Sequence, residues 1–214
     1  MQVASIERLE HSYAFREVFD SVVISCRVQL RHSASARSGS RVRRGASASW
    51  RRWAASERAA GPHAAPVDTI VPYQPEMLQP LVDLWRESFE HGVRVTDPHP
   101  IEEQRQYFVD HVAPYCEVSV VLRDAAIVGF VAVDAESISQ LHVRVGCLRQ
   151  DIGSRLVELA KSRSSWSLWL FTFARDAVAR RFYEAQGFVA IAHGFEPTWR
   201  LEDVKYRWER PGNI

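Results

Sequence analysis

Gln140-Leu-His-Val-Arg-Val-Gly-Cys-Leu-Arg-Gln-Asp-Ile-Gly-Ser-Arg-Leu-Val-Glu-Leu-Ala-Lys161 passes from a strand pattern through a tight loop into an amphipathic helix. Ile138, Leu141 and Val143 are strand-forming apolar residues, whereas Ile152, Leu156, Leu159 and Ala160 recur at helical spacing from Asp151 onward. The loop therefore falls at the helix start. Main-chain N–H groups of a first helical turn have no acceptor within the helix, and the helix dipole adds partial positive charge there. Arg149, Gln150, Asp151, Ile152, Gly153 and Ser154 could accordingly cradle a pyrophosphate. Taken alone, the same residues also fit an ordinary helix N-terminus carrying Ser154.

Working outward, Trp166-Ser-Leu-Trp-Leu-Phe-Thr-Phe173 is a strand-like apolar run. Asp176-Ala-Val-Ala-Arg-Arg-Phe-Tyr183-Glu-Ala-Gln-Gly187-Phe188 follows as a helix closed by a glycine cap. With the loop before it, this segment resembles the GNAT superfamily of acyl-CoA-dependent N-acetyltransferases. The loop matches the signature Q/R-x-x-G-x-G/A in frame at Ile152, Gly153 and Ser154, and the run from Ala179 to Glu184 followed by Gly187-Phe188 matches the other hallmark. The resemblance covers residues 67 to 214. Three positions depart from it: Leu148 stands at the Gln/Arg position, Asp151 at the first glycine, and Asp176 at the common asparagine. Of these Asp151 matters most. A carboxylate about 4 Å from a phosphate costs on the order of 4 kcal/mol at an effective dielectric near 20, roughly a thousandfold in affinity.

The rest of the globular part has the same order. Residues 69–73 read as a short strand, Pro75 opens a helix with Leu78, Leu81, Leu84, Trp85 and Phe89 on one face, and residues 101–112 form a second helix led by Glu102 and Glu103. Val118, Val120 and Leu122 alternate, Asp124 and Ala125 turn the chain, and residues 127–133 return, which makes a hairpin. Residues 189–192, then Val204, Tyr206 and Trp208, suggest a last hairpin joined by a loop from His193 to Asp203. The order βααβββαβαβ implies an α/β, or α+β, mixed sheet rather than a Rossmann domain, and it is similar to that of the GNAT acyl-CoA N-acyltransferase fold, which the resemblance implies.

Charge is divided unevenly. Residues 1–66 carry eleven Lys/Arg against five Asp/Glu, so +6, while the remainder carries sixteen against twenty-one, so −5. Residues 31–66 consist largely of Ser, Ala, Arg and Gly and cannot bury enough apolar surface to offset ordering, so 1–66 is expected to be a disordered extension and 67–214 the N-acetyltransferase domain. The Arg-rich run of Arg37, Arg41, Arg43, Arg44, Arg51 and Arg52, with Trp50 and Trp53 among them, suits a solvated tail better than a nucleic-acid or membrane-surface tether, and nucleic acid is not an expected partner. No apolar run approaches the roughly 18 residues of a membrane span, and no secretory signal pattern is present. Three widely spaced cysteines, Cys26, Cys116 and Cys147, suit a reducing compartment, and a cytoplasmic location is expected. The histidines at 91, 99, 111 and 142 lack metal-ligand spacing, and no G-x-S-x-G elbow exists, so neither a metal nor a serine nucleophile is expected.

The resemblance implies acetyl-CoA as co-substrate and an amine of a small molecule or peptide as acceptor, with pairing of two copies left open. It implies that the fourth and fifth strands splay apart, that Leu141, His142 and Val143 pair through their backbone with the pantetheine arm, and that Asp176 lies near that arm. It places Tyr183 near the coenzyme sulfur, as the acid that would supply a proton to the departing thiolate. Glu136, before the fourth strand, and His142, with an ordinary pKa near 6.5, are the candidate bases. By family analogy the acceptor is framed by residues 89–100 and 193–203, which supply His193, Phe195, Glu196, Trp199 and Glu202 and would suit a cationic amine. A catalytically degenerate GNAT-like module with weak or no acyl-CoA binding is the alternative.

Overall fold

The structure, a computed structural model, describes residues 67–212. The extension 1–66 and the disorder expected of it lie outside the described residues, as does Cys26. The described chain divides into two compact units, one of residues 67–168 with 209–212 and one of Trp169–Trp208.

The first unit opens with β1 (Thr69–Pro72), followed by a 3-10 turn (Pro75–Met77) that begins at a proline and leads into α1 (Leu78–Val93). Arg94 ends α1 in the left-handed region at φ 60°, its N–H donating to the Glu90 carbonyl at 3.0 Å. α2 (Ile101–Tyr107) has Glu102 and Glu103 in its first turn and widens into a π-helical turn over Phe108–Val112. Then come β2 (Glu117–Arg123), β3 (Ala126–Val133) and β4 (Ile138–Val143), which with β1 form an antiparallel sheet in the order β1-β2-β3-β4. Asp124 and Ala125 both have positive φ, 48° and 64°, the backbone of a two-residue type I′ turn. α3 (Ile152–Arg163) follows a 3-10 turn at Val145–Cys147.

Burial explains why these elements stay together. Leu81, Leu84, Trp85, Phe108, Leu122 and Phe130 are all buried, and Trp85 meets Phe130 edge-on with ring centroids 6.4 Å apart. α3 packs on β3 and β4 through buried Ile152 and Leu156. That approach depends on Gly129. A Cβ there would stand 2.9 Å from Ile152 Cγ2 and 3.1 Å from the His142 carbonyl oxygen, so a larger residue would push the start of α3 off the sheet.

The second unit contains most of β5 (Ser167–Phe173), α4 (Ala177–Ala185), β6 (Val189–Glu196) and β7 (Leu201–Glu209), with sheet order β5-β7-β6. Gly187 lies at φ 81° just past α4, the left-handed cap expected of it. One expectation is corrected here. β6 continues through His193 to Glu196 and β7 begins at Leu201, so the long loop 193–203 shrinks to a turn at 197–200, and a seventh strand closes the order. β6 is a terminal strand, and its residues 189–195 are exposed on both faces. A strand with no buried face has no apolar alternation to betray it.

Candidate functional site

β4 is the outer strand of its sheet, bonded to β3 on one side through the pairs Val131 to Leu141, Phe130 to His142 and Gly129 to Val143. The outward main-chain groups of 141 to 143 are not used in that ladder, so they suit an extended ligand that adds along a strand edge. At the end of β4, Arg144 ties the chain back to β3: its N–H donates to the Val128 carbonyl at 2.9 Å, and its guanidinium donates to the Ile127 carbonyl at 2.8 and 3.0 Å.

The loop that follows is exposed from Leu148 to Asp151 and holds two non-glycine residues in the left-handed region, Arg149 and Asp151, both at φ 59°. Left-handed backbone favours glycine, and aspartate is among the few other residues that visit it routinely. The loop thus takes a backbone that suits glycine at a position occupied by aspartate. Asp151 forms no side-chain cap on α3. Its carbonyl accepts from the Arg155 N–H at 3.0 Å, which closes the first turn, and the amides of Ile152 and Gly153 precede that bond with no carboxylate drawn over them. Two arginines near Asp151 in sequence could offset its charge, and the structure uses them differently. Arg155 is engaged by Asp68, at 3.1 Å to both its Oδ2 and its carbonyl oxygen, whereas Arg149 stays solvated.

His142 sits between aromatic rings, 5.8 Å from Trp85 and 5.5 Å from Phe130 between centroids. Its Nε2 lies 3.0 Å from Gln140 Oε1 and its Nδ1 3.3 Å from Ser88 Oγ. Because the amide oxygen only accepts, Nε2 carries the proton and Nδ1 accepts from the serine hydroxyl. Burial lowers the imidazole pKa to about 3, so His142 is neutral at pH 7 and a weak base, with both nitrogens engaged. Glu136 occupies the β3–β4 turn, where Asp134 Oδ1 accepts from the N–H groups of Glu136 at 2.8 Å and Ser137 at 2.6 Å. The Glu136 side chain is exposed.

In the second unit Tyr183 is 8% exposed and packs against Phe182, Phe188 and Tyr206, with centroids 5.2, 5.8 and 6.3 Å away. Burial, and secondarily the charge of Asp176, raises its pKa above the ordinary phenol value, so the hydroxyl is a donor throughout the neutral range. Asp176 Oδ1 accepts from the Ala179 N–H at 2.9 Å, capping α4. Beside it, the Tyr206 hydroxyl donates to Glu184 Oε1 at 2.8 Å and accepts from Arg180 Nε at 3.2 Å, which fastens α4 to β7. In the hairpin, Phe195 is 58% exposed, while Glu196 is fully buried and its Oε2 accepts from the Trp199 N–H at 2.8 Å. Glu196 shapes the turn.

Sequence reading had passed over Gly129 and the Asp68–Arg123 pair. A glycine inside the apolar run 127–133 was a signal for the first; contacts across 55 residues left none for the second. Among the described residues no helix is long and apolar enough to cross a membrane, and no group of three or more His, Cys, Asp or Glu is placed to hold a metal ion.

Residues 90–209 match the family model of an acetyltransferase (GNAT) domain. No curated protein matches the chain. Among solved structures, the PaiA N-acetyltransferase of Thermoplasma acidophilum in complex with coenzyme A is 15% identical, with a TM-score of 0.55 over 67% of this chain and 99% of that one. The ribosomal-protein-S18-alanine N-acetyltransferase of Escherichia coli is 16% identical, with a TM-score of 0.55 over 69% of this chain and 99% of that one. The apo form of Escherichia coli YjaB is 19% identical, with a TM-score of 0.56 over 66% and 97%. These likenesses establish a shared fold.

Proposed function

This chain belongs to the acetyltransferase (GNAT) family, and from that premise we propose that it transfers an acetyl group from acetyl-CoA to a primary amine of a small molecule or peptide, in a direct ternary complex. The observation that carries the reading is the start of α3, where Asp151 takes a left-handed backbone and its side chain leaves the helix N-terminus uncapped. The amides of Ile152 and Gly153 would hold the diphosphate, with Arg149, Gln150 and Ser154 around them, and the free edge of Leu141, His142 and Val143 would pair with the pantetheine amides.

The neutral amine attacks the thioester carbonyl carbon, the C–S bond breaks, and the nitrogen loses a proton while the thiolate leaves. An alkyl thiol, such as a cysteine side chain with a pKa of about 8.5, is a stronger acid than a phenol whose pKa burial has raised. Tyr183 therefore serves as a hydrogen-bond donor to the developing thiolate, and the thiolate gains its proton from solvent afterwards. His142, neutral and doubly bonded, positions the strand edge. Glu136, solvated in its turn, is the remaining candidate to accept the amine proton through water. The acceptor's own ammonium must lose its proton before attack, so activity should rise with pH toward the amine's pKa.

Titration of acetyl-CoA by calorimetry tests this. The reading expects saturable heat and a thermal shift; no heat and no shift at millimolar ligand would overturn it. A second reading, a degenerate module without acyl-CoA affinity, draws on one observation, the exposed carboxylate of Asp151 at the glycine position. Binding restored only by Asp151→Gly would favour it.

A further inference from the structure

Residue Asp68, just before β1, is a junction for elements distant in sequence. Its carboxylate, with a side chain only 8% exposed, accepts from Arg123 in a two-pronged pair, Nε to Oδ1 at 2.7 Å and Nη2 to Oδ2 at 3.1 Å. Arg155, in the first turn of α3, donates to the same Oδ2 at 3.1 Å. The remaining nitrogen of the Arg123 fork, Nη1, donates to Gln150 Oε1 at 2.6 Å, and Gln150 Nε2 in turn donates to the Gly146 carbonyl at 3.3 Å. Nη1 also lies 3.8 Å from Cys147 Sγ, so one guanidinium links the end of β2 to the loop at both Cys147 and Gln150. Across that loop, from Leu148 to Asp151, Gln150 is the residue whose side chain anchors it to the sheet, and it lies between the two left-handed residues Arg149 and Asp151.

We infer that Asp68 and Arg123 are positioning residues that hold the loop 146–151, through Gln150, in the shape its amides need to grip an acyl-CoA diphosphate. The inference rests on the acyl-CoA reading above. Two non-glycine residues in left-handed backbone cost conformational energy that a free loop would relieve. An external tether that fixes Gln150 opposes that relaxation, and Asp68 keeps the tether aimed by occupying the other two nitrogens of the fork. The guanidinium points at Asp68 and Gln150, so its role toward a ligand is geometric.

Asp68→Asn separates geometry from charge because the two predict opposite signs. Removing this carboxylate makes the surroundings of the loop more positive, so a purely electrostatic role would tighten coenzyme A binding. Loss of aim would weaken it. The expected result is about tenfold weaker binding of coenzyme A by calorimetry. Turnover at saturating acetyl-CoA should stay within about twofold. Binding as tight as wild type, or tighter, overturns the inference. Should Asp68→Asn melt out, a double-mutant cycle with Arg123→Lys and Gln150→Ala decides. Lysine keeps the charge but loses the fork, so both single variants should weaken coenzyme A binding and the pair should do no more than Arg123→Lys alone. Additive losses, or a wild-type affinity in Arg123→Lys, contradict it. A wild-type chain that takes up no coenzyme A removes the acyl-CoA reading and this inference together, whereas wild-type binding with unaffected variants removes this inference alone.

Discussion

Two helices of this protein begin at an aspartate, and the two aspartates do different things. Asp176 lies at φ −79° and folds its carboxylate onto the Ala179 amide at 2.9 Å, so the start of α4 is closed by its own side chain. Asp151 lies at φ 59° and closes nothing, so the start of α3 keeps its first amides for something else. The same residue type stabilises one helix and leaves the other open, and the backbone dihedral decides which. An aspartate in extended or bridging backbone can reach forward to the third amide, whereas in the left-handed region its side chain leaves that line. The open end is the one proposed above to hold the diphosphate.

The largest effect expected from this contrast is at Asp151. Replacing it with glycine preserves the left-handed backbone and removes a negative charge, so acetyl-CoA should bind more tightly, by somewhere between about tenfold and a thousandfold, the lower figure applying where solvent screens the exposed carboxylate. The gain should shrink as salt is added, and calorimetry at two ionic strengths would measure both. An unchanged affinity would mean that Asp151 points away from the diphosphate. Next comes Tyr183, on the closed helix. Tyr183→Phe keeps the aromatic packing and should lower kcat by about a hundredfold at nearly constant acetyl-CoA affinity, because the hydroxyl acts when the thiolate forms. Equal turnover would leave the phenol a packing residue.

How much of this was legible beforehand follows from the kind of signal each part carries. Helices with one buried face announced themselves: the stripe Leu81, Leu84 and Trp85 and the helix behind Gly153 lie where periodicity put them, and Val118, Val120 and Leu122 fall in β2, although burial there runs unbroken from Val118 to Leu122 and so covers both faces. β6 was half missed because an exposed terminal strand has no pattern. In the loop, sequence located Asp151 as the anomaly but could not supply its φ, and hence could not foresee that it declines the cap that Asp176 accepts. His142 looked like a titrating base from its ordinary pKa. Burial beside Trp85 and Phe130, brought in from other elements, takes its pKa down out of the neutral range.

That last point yields a test in pH. The unfolded imidazole takes up its proton near pH 6.5, while the folded one does not until about pH 3. Between those values the unfolded chain binds more protons, so stability is fully present above pH 6.5 and is lost as pH falls, by at most about 1.4 kcal/mol per pH unit. His142→Gln should flatten that limb of a denaturant-melt series. If the slope is unchanged, another group is responsible. Asp68 acts in the same direction at lower pH. Arg123's hydrogen bonds hold its carboxyl below the ordinary value, so its contribution stands above the unfolded pKa near 4 and fades below it. The smallest effect belongs to the cap itself. Asp176→Ala should cost about 1 kcal/mol of stability, seen as a lower Tm, whereas Asp151→Asn, which removes no cap, should cost almost nothing.

The most direct measurement follows individual main-chain amides in a proton–nitrogen spectrum of the full chain while acetyl-CoA is added. The signals of Ile152 and Gly153 should move together and saturate, with that of Ala179, already bonded to Asp176, moving less. Stationary Ile152 and Gly153 signals at a concentration where the ligand demonstrably binds would contradict the account.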